Sequence, residues 1–214
     1  MRRITLFVIV SFFTFFTFGQ TLKIQTGPSF SSLDFRVDGI STRPYNETLI
    51  GYSIFMGVDY LDKKYFNLSS NLGLLRKGGK QTVLLISYFG DPGTERIDNA
   101  RLDYLSLNTL IDLKYPITDK ITPYLSFGPR IDYLVGISNE FDPISENDDF
   151  FRLNYGFILG GGIKYDLSRF QLGIHADYYI NCNKIADWPA VIPNLGGTIA
   201  DKTFTLNLSL GYKL

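Results

Sequence analysis

The sequence predicts an all-β chain: an eight-stranded antiparallel up-and-down transmembrane β-barrel preceded by a signal peptide. Three observations predict it. The last twelve residues alternate without a break, setting Phe204, Leu206, Leu208, Leu210, Tyr212 and Leu214 against Thr203, Thr205, Asn207, Ser209, Gly211 and Lys213. Seven further segments carry the same period of two, and the connections between them alternate between short and long. At ~3.3 Å per residue the last strand spans ~40 Å, and a tilt of ~45° leaves ~28 Å, close to the hydrocarbon thickness of a bilayer.

Residues 1–19 read as a secretory signal peptide. Arg2 and Arg3 form its basic start, Ile4 to Phe18 its charge-free core, and the small Gly19 precedes the expected cleavage before Gln20. The core is too short for a spanning helix, and the mature domain is expected to be 20–214. Of the 21 Lys and Arg, Arg2 and Arg3 leave with the signal, so the mature chain sets 19 basic against 21 acidic residues. A net charge of −2 offers no basic field for nucleic acid. Cys182 is the single cysteine, which excludes an intrachain disulfide framework.

The first strand is expected to begin near Leu22, with Ile24, Pro28 and Phe30 on its apolar side. A bulge near Ser31 and Ser32 would switch Leu33, Phe35 and Val37 onto that same side. Ile50 to Tyr60 and Tyr65 to Arg76 form a hairpin about the turn 61–64, with Ile50, Tyr52, Ile54, Met56, Val58 and Tyr60 on the apolar side of the first and Phe66, Leu68, Leu72 and Leu74 on that of the second. Thr82 to Phe89 is apolar and β-prone; an extension of the preceding strand across a bulge at Lys77 to Lys80 is preferred to a ninth strand, which would leave the C-terminus on the wrong side. Arg101 to Tyr115 and Ile121 to Ser138 follow, joined by the short turn 117–120, and in the second of these every charge falls on the polar face. Phe151 to Tyr165 and Phe170 to Asn181 pair about 166–169, and Thr203 to Leu214 closes the count at eight. The long connections are 38–49, 77–100, 139–150 and 182–202.

Alternation alone does not say which face is outside. Volume does, because an eight-stranded barrel has little interior room. The Phe, Tyr and Leu side is therefore assigned to lipid and the Gly, Ser and Asn side to the lumen. That side also carries Asp59, Asp112, Lys114, Arg130, Asp132, Arg152, Lys164, His175 and Asp177, expected as a paired luminal network. Tyrosines at strand ends, including Tyr52, Tyr60, Tyr115, Tyr133, Tyr155, Tyr165, Tyr178 and Tyr212, would form interfacial girdles.

Leu102 to Tyr115 (LDYLSLNTLIDLKY), followed by Pro123 to Pro129 (PYLSFGP), resembles the outer-membrane β-barrel family typical of Bacteroidetes, the PorT-like and OmpX-like small barrel proteins. Ser106 to Asn108 departs from the Ile-Pro of the family pattern. The resemblance implies an outer-membrane location and, for PorT itself, secretion of proteins through the type IX system.

Chemistry is sparse. His175, the single histidine, shares a face with Asp177, yet no nucleophile stands at recognisable spacing, so a place in the polar network outweighs a general base. One His and one Cys are too few for a metal centre, and no cofactor is expected. The acidic stretch Asn139 to Asp149 lacks the ordered spacing of a calcium loop, and Gly160 to Gly162 lies within a strand, where it suits curvature better than phosphate binding. Trp188 is a candidate contact for a partner or a lipid headgroup. The expectation is a non-enzymatic outer-membrane protein whose partners are lipid and envelope or secretion-complex proteins. A membrane-embedded enzyme and a small passive pore are the alternatives.

Overall fold

The computed structural model of the chain describes residues 21–37, 40–42, 44–84, 94–138, 151–188 and 197–214. The expected signal peptide, the acidic stretch 139–149 and residues 85–89 lie outside the described residues. Among the described residues there are ten strands: β1 Thr21–Val37, β2 Ile40–Thr42, β3 Leu49–Asp62, β4 Phe66–Leu84, β5 Glu95–Lys114, β6 Ile121–Ile137, β7 Leu153–Leu167, β8 Phe170–Asn181, β9 Ala186–Trp188 and β10 Gly197–Lys213. Eight of them close a ring in the order β1-β3-β4-β5-β6-β7-β8-β10, sealed by antiparallel pairing of β10 with β1. The short β2 and β9 lie against β1 and β10 at the long-loop end.

Strand-to-strand pairing fixes the shape. Thr21 pairs with Asp59, Asp59 with Ser69 and Ser69 with Leu110. Leu110 faces Gly128, between the pairs Asn108–Arg130 and Ile111–Phe127. From Gly128 the row runs through Ile158, Tyr179 and Thr203 to Ser31, ten residues further along β1 than its start. That offset obliges the strands to tilt, as in the smallest membrane barrels. Tight curvature requires bare backbone at Gly27, where a Cβ would sit 1.9 Å from the carbonyl oxygen of Leu206.

The apolar outer face and the small, polar inner face follow the expected sides on β3 to β8 and β10. Two segments differ from the sequence reading. The register of β1 against both β3 and β10 is continuous, with no bulge at Ser31 and Ser32, so Leu33 and Phe35 point inward with Lys23 and Gln25. The reason is packing: they join Ala100, Leu102, Tyr104, Leu134, Ile185, Ala186 and Ile199 in an apolar cluster inside the long-loop end. The Lys77 to Lys80 stretch neither turns nor bulges. β4 runs through it to Leu84 in unbroken register with β5, which supplies the expected extension and keeps the ring at eight. The register shifts that do occur, among the described residues, lie at Asp59/Leu61 and Asp103/Tyr104.

Candidate functional site

The lumen holds the chemistry of the chain. At the short-turn end, alternation on β1, β3, β5 and β7 turns Lys23, Asp59, Asp112 and Lys164 inward, where they meet. Lys23 Nζ lies 2.7 Å from Asp59, and Lys164 Nζ bridges Asp59 at 3.3 Å and Asp112 at 3.1 Å. Asn67 donates to Asp112 at 2.9 Å, and the ammonium of Lys164 stands 4.9 Å from the centre of the Tyr124 ring. At the rim, Lys114 pairs with Asp62, and Lys213 lies 2.5 Å from Asp166.

Midway along the lumen, Ser53 donates to Asn207 at 2.5 Å and Asn71 donates to Asn108 at 2.7 Å. His175 Nε2 lies 3.3 Å from Asp177 Oδ2, both residues 5% exposed. Across from them β7 carries Gly160, where a Cβ would fall 2.1 Å from Asp177 Oδ1. The glycine run therefore makes room for an acidic side chain as well as for curvature.

Above this level a second cluster of phenyl, phenol and alkyl groups fills the bore: Phe55, Leu75, Leu110, Ile158 and Tyr179. Over it lies the most deeply buried charge network. Lys77 Nζ is 2.9 Å from Asp132 and 3.4 Å from Asp201, with all three side chains fully enclosed. Arg130 pairs with Asp132 and donates to Asn181, while Thr203 donates to Asp201 at 2.7 Å. The Tyr179 ring lies 5.5 Å from Lys77 and 5.2 Å from Arg130, an aromatic face against both cations. The apolar cluster around Leu33 then covers this network, and Ile185 and Ala186, from the segment leading into β9, fold into it.

Of the residues singled out in the sequence, Asp59, Asp112, Arg130, Asp132, Lys164, His175 and Asp177 are luminal and buried. Lys114 sits at the rim. Arg152 is not in the lumen: it is exposed, because it stands one residue before β7 begins at the long-loop end. Trp188 ends β9, with its backbone paired to Gly197. Sequence reading missed Lys77 and Asp201, which fall in stretches assigned to long loops. Residues 76–80 carry no hydrophobic alternation, and it is the pairing of β4 with β5 that places Lys77 in the lumen. Among the described residues, no group of three or more His, Cys, Asp or Glu is placed to hold a metal ion.

No protein-family model matches the sequence, and no curated protein does. Solved structures do match in fold. The outer membrane protein OprG from Pseudomonas aeruginosa superposes over 92% of this chain and 96% of its own, at 13% identity and a TM-score of 0.53. Neisserial surface protein A matches over 90% and 97%, at 10% identity and a TM-score of 0.51. The chain has the fold of an outer-membrane β-barrel. Its exposed Leu, Ile, Phe and Tyr ring is the lipid-facing surface, the short turns mark the periplasmic end and the long connections the extracellular end. At these identities the likeness is one of fold, and the Bacteroidetes resemblance rests on its sequence motifs.

Proposed function

We propose that this protein is a non-conducting, non-enzymatic barrel of the outer membrane that works by binding envelope partners, in the manner that its PorT-like motifs imply for protein secretion. The observation that carries the reading is the filled bore. Two charge networks and two apolar clusters follow one another along the lumen, and Lys77, Tyr104, Asp132 and Asn154 are each 0% exposed. A pore needs a continuous wet path, and side chains enclosed to that extent argue against one among the described residues. The same burial argues against catalysis by His175 and Asp177, which a substrate reaches only by unpacking the lumen.

What supports a partner-binding role is the β4–β5 ribbon, which continues past the ring and exposes Leu84 and Ile97 beyond the membrane band. The test of the non-conducting reading is single-channel recording of the purified, heat-modifiable protein in planar bilayers. Silent bilayers are expected; reproducible conductance steps would overturn it. For the partner-binding reading, photo-crosslinkers at Leu84 and Ile97 in native envelopes are expected to capture a protein that the same groups at Tyr65 and Tyr115, on the opposite end, do not.

A further inference from the structure

The lipid-facing surface is not equally tall around the barrel. On β4 the outward run from Phe66 to Leu74, apolar but for Ser70, stops at Arg76, which is paired with Asp103 of β5 at 2.7 Å on the same outer face. On β10 it goes from Leu214 to Phe204 and stops at the exposed Lys202. Runs of nine to eleven residues at ~3.3 Å each and a tilt of ~45° stand ~21–26 Å high, which matches the ~25 Å apolar band of membrane barrels. β6 and β7 differ. Every outward position of β6 from Ile121 to Val135 is aliphatic, aromatic or proline, and on β7, 15 residues long, the one outward exception is Gly161. The same arithmetic gives ~35 Å for each. Val135 and Leu153, at the extracellular end, are 55% and 51% exposed.

A rigid barrel does not remove this excess by tilting, because the β6–β7 side is taller in total and not merely displaced. Nor does a lipid annulus cover it without thickening by about 10 Å or more along one side of a narrow cylinder, at a cost for each ångström of mismatch. The occupant must itself present an apolar flank that rises past the bilayer.

We propose that the β6–β7 flank is a dimer interface and that its occupant is a second copy of this chain. Two copies inserted in the same direction, related by a twofold axis along the membrane normal, bring equally tall flanks together, so that each covers the excess of the other. The flank also has relief suited to self-packing. Gly161 lies between Leu125 on β6 and Ala176 on β8, a shallow spot on the outer surface, and Leu125 and Leu159 project beside it.

The experiment uses the full-length protein in native outer membranes with Cys182 replaced by Ser. Single cysteines are introduced as Val135→Cys and Leu153→Cys on the flank, and as Leu74→Cys on β4, away from the flank. A short bismaleimide crosslinker is expected to give a product of twice the monomer mass at both flank positions, with a yield about fivefold or more above that at Leu74→Cys. Adding Val135→Lys to Leu153→Cys is expected to abolish the product while heat-modifiable migration is kept, since that lysine lies above the bilayer. Flank cysteines that crosslink no better than Leu74→Cys in correctly assembled protein overturn the proposal. So does a product that contains a different protein.

Discussion

Replacing Lys77 by Met removes a fully enclosed charge that lies 2.9 Å from Asp132 and 3.4 Å from Asp201. Arg130, paired with Asp132, is then the remaining cation of the network, and it faces two carboxylates. Removing one side of a buried ion pair costs about 3–5 kcal/mol, chiefly because an uncompensated charge is left in a dry site. Methionine fills most of the space of the lysine stem, so little of the loss comes from a cavity. With a denaturant slope of about 2 kcal/mol per molar urea, the unfolding midpoint of the micelle-refolded protein is expected to fall by about 1.5–2.5 M. A second variant isolates the electrostatic part. Lys77→Met combined with Asp201→Asn leaves Arg130 opposite Asp132 as a neutral pair, and about 2 kcal/mol of the loss is expected to return, a coupling typical of residues in direct contact. A midpoint within about 0.3 M of the parent for Lys77→Met, or no recovery in the double variant, would refute the view that charge compensation holds the upper lumen.

Three further outcomes follow from the same geometry. Gly27→Ala places a Cβ 1.9 Å from a backbone carbonyl at the β1–β10 seam, so the yield of heat-modifiable barrel is expected to fall, with a stability loss of about 3 kcal/mol or more in whatever assembles. Wild-type yield and midpoint would contradict the close approach there. Arg76→Ala breaks a bidentate pair to Asp103 that is about 30% exposed, so its cost is expected to stay below about 1 kcal/mol, far under that of Lys77→Met; equal costs would contradict the inside–outside assignment. Cys182, exposed just past the extracellular end of β8, is expected to react with a membrane-impermeant maleimide on intact cells, and labelling only after permeabilisation would reverse the topology.

The barrel and the sidedness of its strands were legible because, over most of the strands, one rule governs both faces: apolar outside, and mostly small or paired-polar inside, the exception being the cluster of Phe55, Leu75, Leu110, Ile158 and Tyr179. Beyond the bilayer that rule lapses, and the errors cluster there. Leu33 and Phe35 looked lipid-facing because they are apolar, yet at their level the inside is an ordinary hydrophobic core and the outside carries Asp34 and Arg36. Lys77 looked like part of a turn because two glycines follow it, and only pairing with Leu102 on the distant β5 shows that the strand goes on. Asp201 sat in an apparent loop because β10 begins at Gly197, four residues ahead of it and well before the clean alternation starts. The periplasmic half of the network needed no such knowledge. Asp59, Asp112 and Lys164 lie on the polar side of unambiguous strands, and in a narrow lumen they have nowhere to go but toward one another.

The central claim is that the Leu, Ile and Phe face of these strands meets lipid and the small polar face is sealed within. Nitroxide labels at Met56→Cys, Leu107→Cys and Leu208→Cys, on three strands around the ring and with Cys182 replaced by Ser, test it in reconstituted bilayers. All three are expected to collide readily with oxygen dissolved in the hydrocarbon and hardly at all with a water-soluble nickel reagent. Labels at these positions that are shielded from oxygen, or open to the nickel reagent, would place that face in a core or in water and contradict the account.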